Sequence, residues 1–117
     1  MSEIDKIFGE REARRVELEQ QRRERVAVAS SFLKAFFETD VAPSKTLAGQ
    51  GIEGQLTDTA LVLHRAGAGM HSDPFIIALG PDGEIDCAGR SLGRYTDDLK
   101  VKMKRELVGE ILNFFDL

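Results

Sequence analysis

Residues 56–88 read LTDTALVLHRAGAGMHSDPFIIALGPDGEIDCA, and the way this stretch folds decides what the rest of the chain must do. Ala60-Leu61-Val62-Leu63 and Phe75-Ile76-Ile77-Ala78-Leu79 are apolar runs, not alternations. Successive side chains of a strand point to opposite faces, so both faces of a sheet built from them call for cover. Gly80-Pro81-Asp82-Gly83 is a strong turn, with proline pre-set at its second position and glycine free to take positive φ. It predicts a hairpin of Phe75–Leu79 with Glu84–Ala88. Pro74 can open a strand where its missing N–H matters least. Gln55 to Arg65 reads as one strand, joined to the next by a flexible loop containing Gly67, Gly69, Met70 and His71. Upstream, Asp40 to Gly54 reads as an irregular loop or a bulged edge strand pairing through Leu47 and Ile52. The sum is an antiparallel meander of three or four strands.

Two helices flank it. Ser2 is a good N-cap with Asp5 three residues on, and only Gly9 interrupts good helix formers from there to about Glu38. Pro43 sets the far limit, since the residue before a proline is pushed out of the helical region. A helix of about 36 residues is roughly 54 Å long, whereas a compact domain of this size has a radius of gyration of about 13 Å. Part of the helix must therefore protrude or rest on another chain. Residues 1–25 read as a charged, protruding segment and 26–117 as one α+β domain. At the other end Thr96 is a good N-cap, with Asp97 and Asp98 in the first turn. This helix should run to about Asn113, carrying Leu99, Met103, Leu107, Ile111 and Phe114 on one stripe. Val101, Val108, Leu112 and Phe115 make a second stripe, so the helix asks to be covered on two sides. The end of the first helix (Phe32, Phe36, Phe37) or a second copy of the chain would satisfy the second one. The expected fold is α+β: a long N-terminal helix, the meander, and a C-terminal helix packed on the sheet, assembled as a homodimer.

Composition narrows the functional classes. The chain has 117 residues, 42% hydrophobic and 31% charged, with a formal charge of −4. Nucleic-acid and anionic-membrane binding are not favoured by a net acidic balance. Cys87 is the only cysteine, which rules out an intrachain disulfide and fits a reducing compartment. The N-terminus lacks a secretory pattern and no apolar run is long enough to span a bilayer, so a cytoplasmic protein is expected.

The long helix supplies the main candidate surface. Val26, Ala29, Phe32, Leu33 and Phe36 share one face at 100° per residue, with Ile4, Ile7 and Leu18 further up. Between Gly9 and Arg25 that face is mostly arginine: Arg11, Arg14, Arg15, Arg22 and Arg25. Glutamates flank it on both sides, and no sustained apolar heptad emerges. Three uses compete. The first is a solvated helix held by Glu10–Arg14, Arg15–Glu19 and Glu19–Arg23 pairs. The second is contact with another protein, above all a second copy, in which arginine stems pack and heads pair with glutamates. The third is a phosphate-tracking face for nucleic acid, disfavoured by the interleaved glutamates. A parallel in-register homodimer would set like charges face to face, so an antiparallel or staggered pairing is the more credible.

Other chemistry is thin. Gly89-Arg90-Ser91-Leu92-Gly93-Arg94 lies between a strand and a helix start, which makes Arg90 and Arg94 a candidate anion pair. No phosphate-loop or dinucleotide spacing accompanies it. His64, His71, Asp73 and Cys87 lack zinc-site spacing, and no nucleophile or acid–base pair stands out. No cofactor, metal or catalytic residue is expected. The function expected is a small non-enzymatic interaction module, adaptor- or chaperone-like. It forms a homodimer, with Val101, Val108, Leu112 and Phe115 as dimer or packing residues. It binds another protein through Arg11, Arg14, Arg15, Leu18, Arg22 and Arg25 of the long helix or through the sheet and terminal-helix surface, with nucleic-acid binding through the arginine stripe as the alternative.

Overall fold

The computed structural model describes residues 2–66 and 73–117. The loop residues Gly67, Gly69, Met70 and His71 lie outside the described residues. Helix α1 spans Glu3–Phe36, capped by Ser2, whose hydroxyl accepts from the Asp5 N–H at 3.2 Å. It widens into a π turn over Phe37–Val41, and a short helix α2 (Lys45–Gly49) follows, capped by Ser44. Five strands come next: β1 (Ile52–Leu56), β2 (Ala60–Arg65), β3 (Phe75–Leu79), β4 (Glu84–Cys87) and β5 (Arg90–Arg94). Each pairs antiparallel with its sequence neighbour, in the order β1-β2-β3-β4-β5. A 3-10 turn at Asp97–Leu99 leads into α3 (Lys100–Phe114). The expected α+β meander is present, with five strands in place of three or four.

β1 takes the place of the edge strand expected through Ile52, although Leu47 lies in α2 instead, and β5 is the strand beyond four; both border turns with unusual chemistry. The stretch 55–65 is not one strand but a hairpin, with Leu56 opposite Leu61. The Thr57 hydroxyl closes its turn, accepting from the Ala60 N–H and donating to the Ala60 carbonyl, both at 3.1 Å. The stretch 89–94 is not a loop before a helix but β5, reached through a two-residue turn at Ala88 and Gly89. Both have positive φ (51° and 86°), the geometry that matches strand twist in a tight hairpin. Alanine is a costly occupant of that position, which is why the turn does not announce itself. A bulge then shifts the register, so that Asp86 faces Ser91 while Glu84 faces Arg94.

The core lies on one face of this sheet. Leu61, Leu63, Phe75, Ile77, Ile85 and Cys87 alternate inward and are buried. Ala29, Phe32, Leu33 and Phe36 of α1 meet them from the same side, together with Met103, Leu107 and Ile111 of α3. The expectation that both faces are covered is not met within the chain. Val62 and Ile76 sit directly opposite each other on the outer face, and Ile76 keeps 41% of its surface exposed.

α3 ends differently from its stripe reading. Phe114 is 42% exposed, although its ring still leans on Phe75, whereas Phe115 turns into the core. The helix stops at Phe114, and the next residue leaves helical geometry with ψ near 4°. Arg65 fixes the turn by donating from Nη2 to the Phe115 carbonyl at 3.3 Å, with its guanidinium over the Phe115 ring. Of the second stripe, with the first helix and a second copy as its alternative covers, Phe115 packs into the chain's own core.

Candidate interaction surfaces

α1 divides where the hairpin turn between β3 and β4 reaches it. Arg22 Nε pairs with Asp82 Oδ1 at 3.1 Å. Gly83, at φ +81°, lies so close to the Arg25 carbonyl that a Cβ there would stand 2.8 Å from its oxygen. Below this contact α1 packs on the sheet; above it, residues 3–21 project as an arm. The molecule measures 69 × 32 × 20 Å with a radius of gyration of 18.9 Å, far above the roughly 13 Å of a compact domain.

The arm exposes the side chains expected on a binding surface. Ile4 is 80% exposed, Phe8 62% and Leu18 50%. Arg11, Arg14 and Arg15 are exposed on the same side, and Arg25 is half-buried. None of the i,i+4 pairs foreseen from spacing is closed. Arg15 instead pairs with Glu12, one turn back, at 3.1 Å. Among the described residues Arg11, Arg14 and Arg25 have no ion-pair partner, and neither do Glu10, Glu17 and Glu24.

Shallow concavities follow the arginine face. Ile7, Glu10, Arg11 and Arg14 line one of about 240 Å³. Gln21, Glu24, Arg25 and Val28 line the next, of about 340 Å³, with Tyr95 and Asp97 on its rim. The third, of about 400 Å³, runs on past Val28, Ser31, Phe32 and Ala35 between α1 and the connection after β5. This groove was not foreseen. Tyr95, which builds its wall by stacking on Phe32 at 4.3 Å between ring centroids, carries no local signal of that role.

α3 offers a second surface. Val101 is 67% exposed and Val108 38%, while Leu112 is half-buried. Val101 and Val108 lie in an open groove with Lys100, Lys104 and Arg105, so its rim is basic. Val108 and Leu112 also line a concavity of about 240 Å³ with Val41 and Leu47.

The remaining candidates are dispersed. Arg90 pairs with Glu110 of α3, and Arg94 lies opposite Glu84 across the bulge, so the two guanidinium groups do not converge on a helix start. His64 faces Glu53 on the outer face of the sheet, Nε2 to Oε2 at 3.7 Å, while Cys87 points into the core on the other face. Burial, followed by the charge of Glu110, pushes the Cys87 thiol up to about 11, which leaves it protonated and unreactive near neutrality. Among the described residues no cluster of His, Cys, Asp and Glu is arranged to hold a metal, and no helix is long and apolar enough to cross a membrane. Comparison with protein-family models, with curated proteins and with solved structures gives no match.

Proposed function

We propose that the protein is a small, cytoplasmic, non-enzymatic interaction module that works as a homodimer and engages a further protein, in the manner of an adaptor or chaperone. One observation carries this reading. An arm of 19 residues, 3–21, projects from the body with large apolar side chains and unpaired arginines on one side. Holding Ile4, Phe8 and Leu18 in water has no structural purpose for the monomer, because the body's core is complete without them. The buried, protonated thiol of Cys87 suits a reducing compartment.

Absolute mass by light scattering tests the dimer, on the full chain and on a version beginning at Arg22, which keeps the Arg22–Asp82 contact. The full chain is expected to be a dimer at micromolar concentration. A monomer at every concentration overturns the homodimer. The unpaired arginines favour one further reading, a nucleic-acid interface along the same stripe. It predicts affinity for a duplex or single strand that collapses between about 50 and 200 mM salt. An interface anchored by Ile, Leu and Phe is far less salt-sensitive.

A further inference from the structure

The three concavities on α1 share one spacing. Each includes α1 residues at i, i+3, i+4 and i+7: positions 7, 10, 11 and 14; then 21, 24, 25 and 28; then 28, 31, 32 and 35, with Ala27 beside the last set. Four residues at that spacing are the hole into which a knob of a facing helix inserts in a coiled coil. The seam they define is a heptad, with Ile4, Arg11, Leu18, Arg25 and Phe32 in one register position. Ile7, Arg14, Gln21, Val28 and Ala35 occupy the other. Read by hydropathy the heptad vanishes, because arginine fills three of its ten places; read by shape it runs the length of the helix. It also drifts around α1 by about 20° per heptad, so its lower half runs along the margin of the core, with Phe32 itself buried and Val28, Ser31 and Ala35 beside it lining the groove at Tyr95.

We infer that this seam receives α1 of a second copy, antiparallel, so that the arm of each chain lies in the Tyr95 groove of the other. The inference rests on the homodimer proposed above and gives it a geometry. Placing the two-fold axis between Glu19 and Gln20 sets Ile4 opposite Ala35 and Ile7 opposite Phe32 at the ends, with Leu18 opposite Gln21 near the centre. Each pair joins the two kinds of seam position, as antiparallel coiled coils require. The overlap from residue 4 to residue 35 is about 47 Å at 1.5 Å per residue. Both exposed ends of the arm then find cover: Ile4 and Ile7 reach the lower groove, where Ser31 and Ala35 are small enough to admit them.

Charge supports the same arrangement. Arg15 and Arg22, on one flank of the seam, are already paired within the chain, to Glu12 and Asp82. Arg11, Arg14 and Arg25, in the seam itself, are not. The other flank is a row of unpaired glutamates, Glu10, Glu17 and Glu24, continued in the groove by Asp97. In the antiparallel dimer the two acidic rows come to the same side, and the seam arginines of both chains lie between them. Arg11 faces Val28 beside Asp97, and Arg14 meets Arg25 beside Glu24, so each guanidinium has a partner carboxylate within reach of its stem. Lys100 borders both surfaces, but the α3 surface adds Lys104 and Arg105 with no carboxylate in its lining, whereas the Tyr95 groove carries Asp97, so α3 is the poorer seat for the arm's arginines.

Disulfide trapping tests the geometry on the full chain. Ile4→Cys protein is mixed with Ala35→Cys protein and oxidised mildly, with the wild type, whose Cys87 is buried, as background. The expected product is a mixed dimer linked between positions 4 and 35. Alongside it, Arg11→Glu with Arg14→Glu should weaken self-association at least tenfold, while Arg23→Glu, on the outward side, should leave it within twofold. Light scattering of the wild type separates the failures. A monomer defeats the homodimer reading and this inference together. A dimer that links position 4 to position 4, or gives no 4–35 product, leaves the homodimer standing and overturns the antiparallel seam. So does a dimer indifferent to the Arg11 and Arg14 reversals.

Discussion

Leu107 is fully buried in the core and Val101 is two-thirds exposed, though both sit on α3 and both were read as stripe residues. Truncating Leu107 to alanine removes transfer energy and leaves a cavity, which costs about 2–5 kcal/mol. Val101→Ala should stay within about 0.5 kcal/mol in the isolated chain. Urea midpoints at equal slope would show the contrast. Glycines make a second pair. Gly83 and Gly89 both hold positive φ, but a Cβ at Gly89 meets open space whereas one at Gly83 runs into the α1 backbone at Arg25. Gly89→Ala should cost about 1–2 kcal/mol for the left-handed conformation alone. Gly83→Ala should exceed it, since α1 must also retreat from the turn. Equal costs would mean that the turn does not bear on the helix. At alkaline pH the Cys87 thiol adds a slope. Its pKa is raised from 9.0 to about 11, so above pH 9 the unfolded chain releases a proton that the folded chain keeps. Stability should be intact below pH 9 and fall between there and about pH 11. Tyr95, raised by burial and by Asp97, adds to the same trend. Cys87→Ala should flatten the fall in a pH series of urea midpoints.

At the scale of elements, α1 joins two regimes of stability. Its lower half is locked by Ala29, Phe32, Leu33 and Phe36, while residues 3–21 have only their own hydrogen bonds and a Ser2 cap. Isolated helices of that length are marginal in water. Amide exchange should therefore be fast from Lys6 to Gln20 in the dilute monomer and slow across the lower half. Protection of the arm should appear with concentration if another chain covers it. The elements were legible in the sequence where their signals are local and ordinary. Ser2 and Pro81-Asp82-Gly83 mark an end and a turn with the residues those structures demand, whereas Thr96 opens a 3-10 turn without capping it and α3 itself starts after Leu99. β5 was hidden because Ala88 stands where asparagine or glycine would announce a tight hairpin, and the β1–β2 turn because Thr57 closes it without glycine or proline. The arginine stripe was legible as a stripe. Its seam was not, because a hydropathy reading discards a heptad position occupied by arginine, and Asp82 and Tyr95 join α1 only through tertiary contact.

The whole molecule is an elongated body with an arm, and its size is the simplest readout of that shape. Small-angle scattering at low concentration should give a radius of gyration near 18.9 Å for the full chain and about 13 Å for a version starting at Arg22. The sharpest test of what the arm is for lies in Arg14. In the antiparallel pairing it sits in the seam opposite Arg25 of the other chain, so two like charges approach near the centre of the interface and are compensated only by flanking glutamates. Removing one of two facing like charges relieves their repulsion at the interface, and Glu24 keeps Arg25 as its partner. Leucine is also the residue this seam position prefers. Arg14→Leu should therefore tighten the dimer, lowering its dissociation constant in sedimentation or dilution light scattering. A phosphate-binding stripe demands the opposite, since each arginine lost removes a neutralised phosphate and weakens binding uniformly across sequences. A solvated, partnerless helix predicts no change in mass at all. One substitution at one exposed position thus separates all three uses of the stripe: tighter self-association, weaker nucleic-acid binding, or neither.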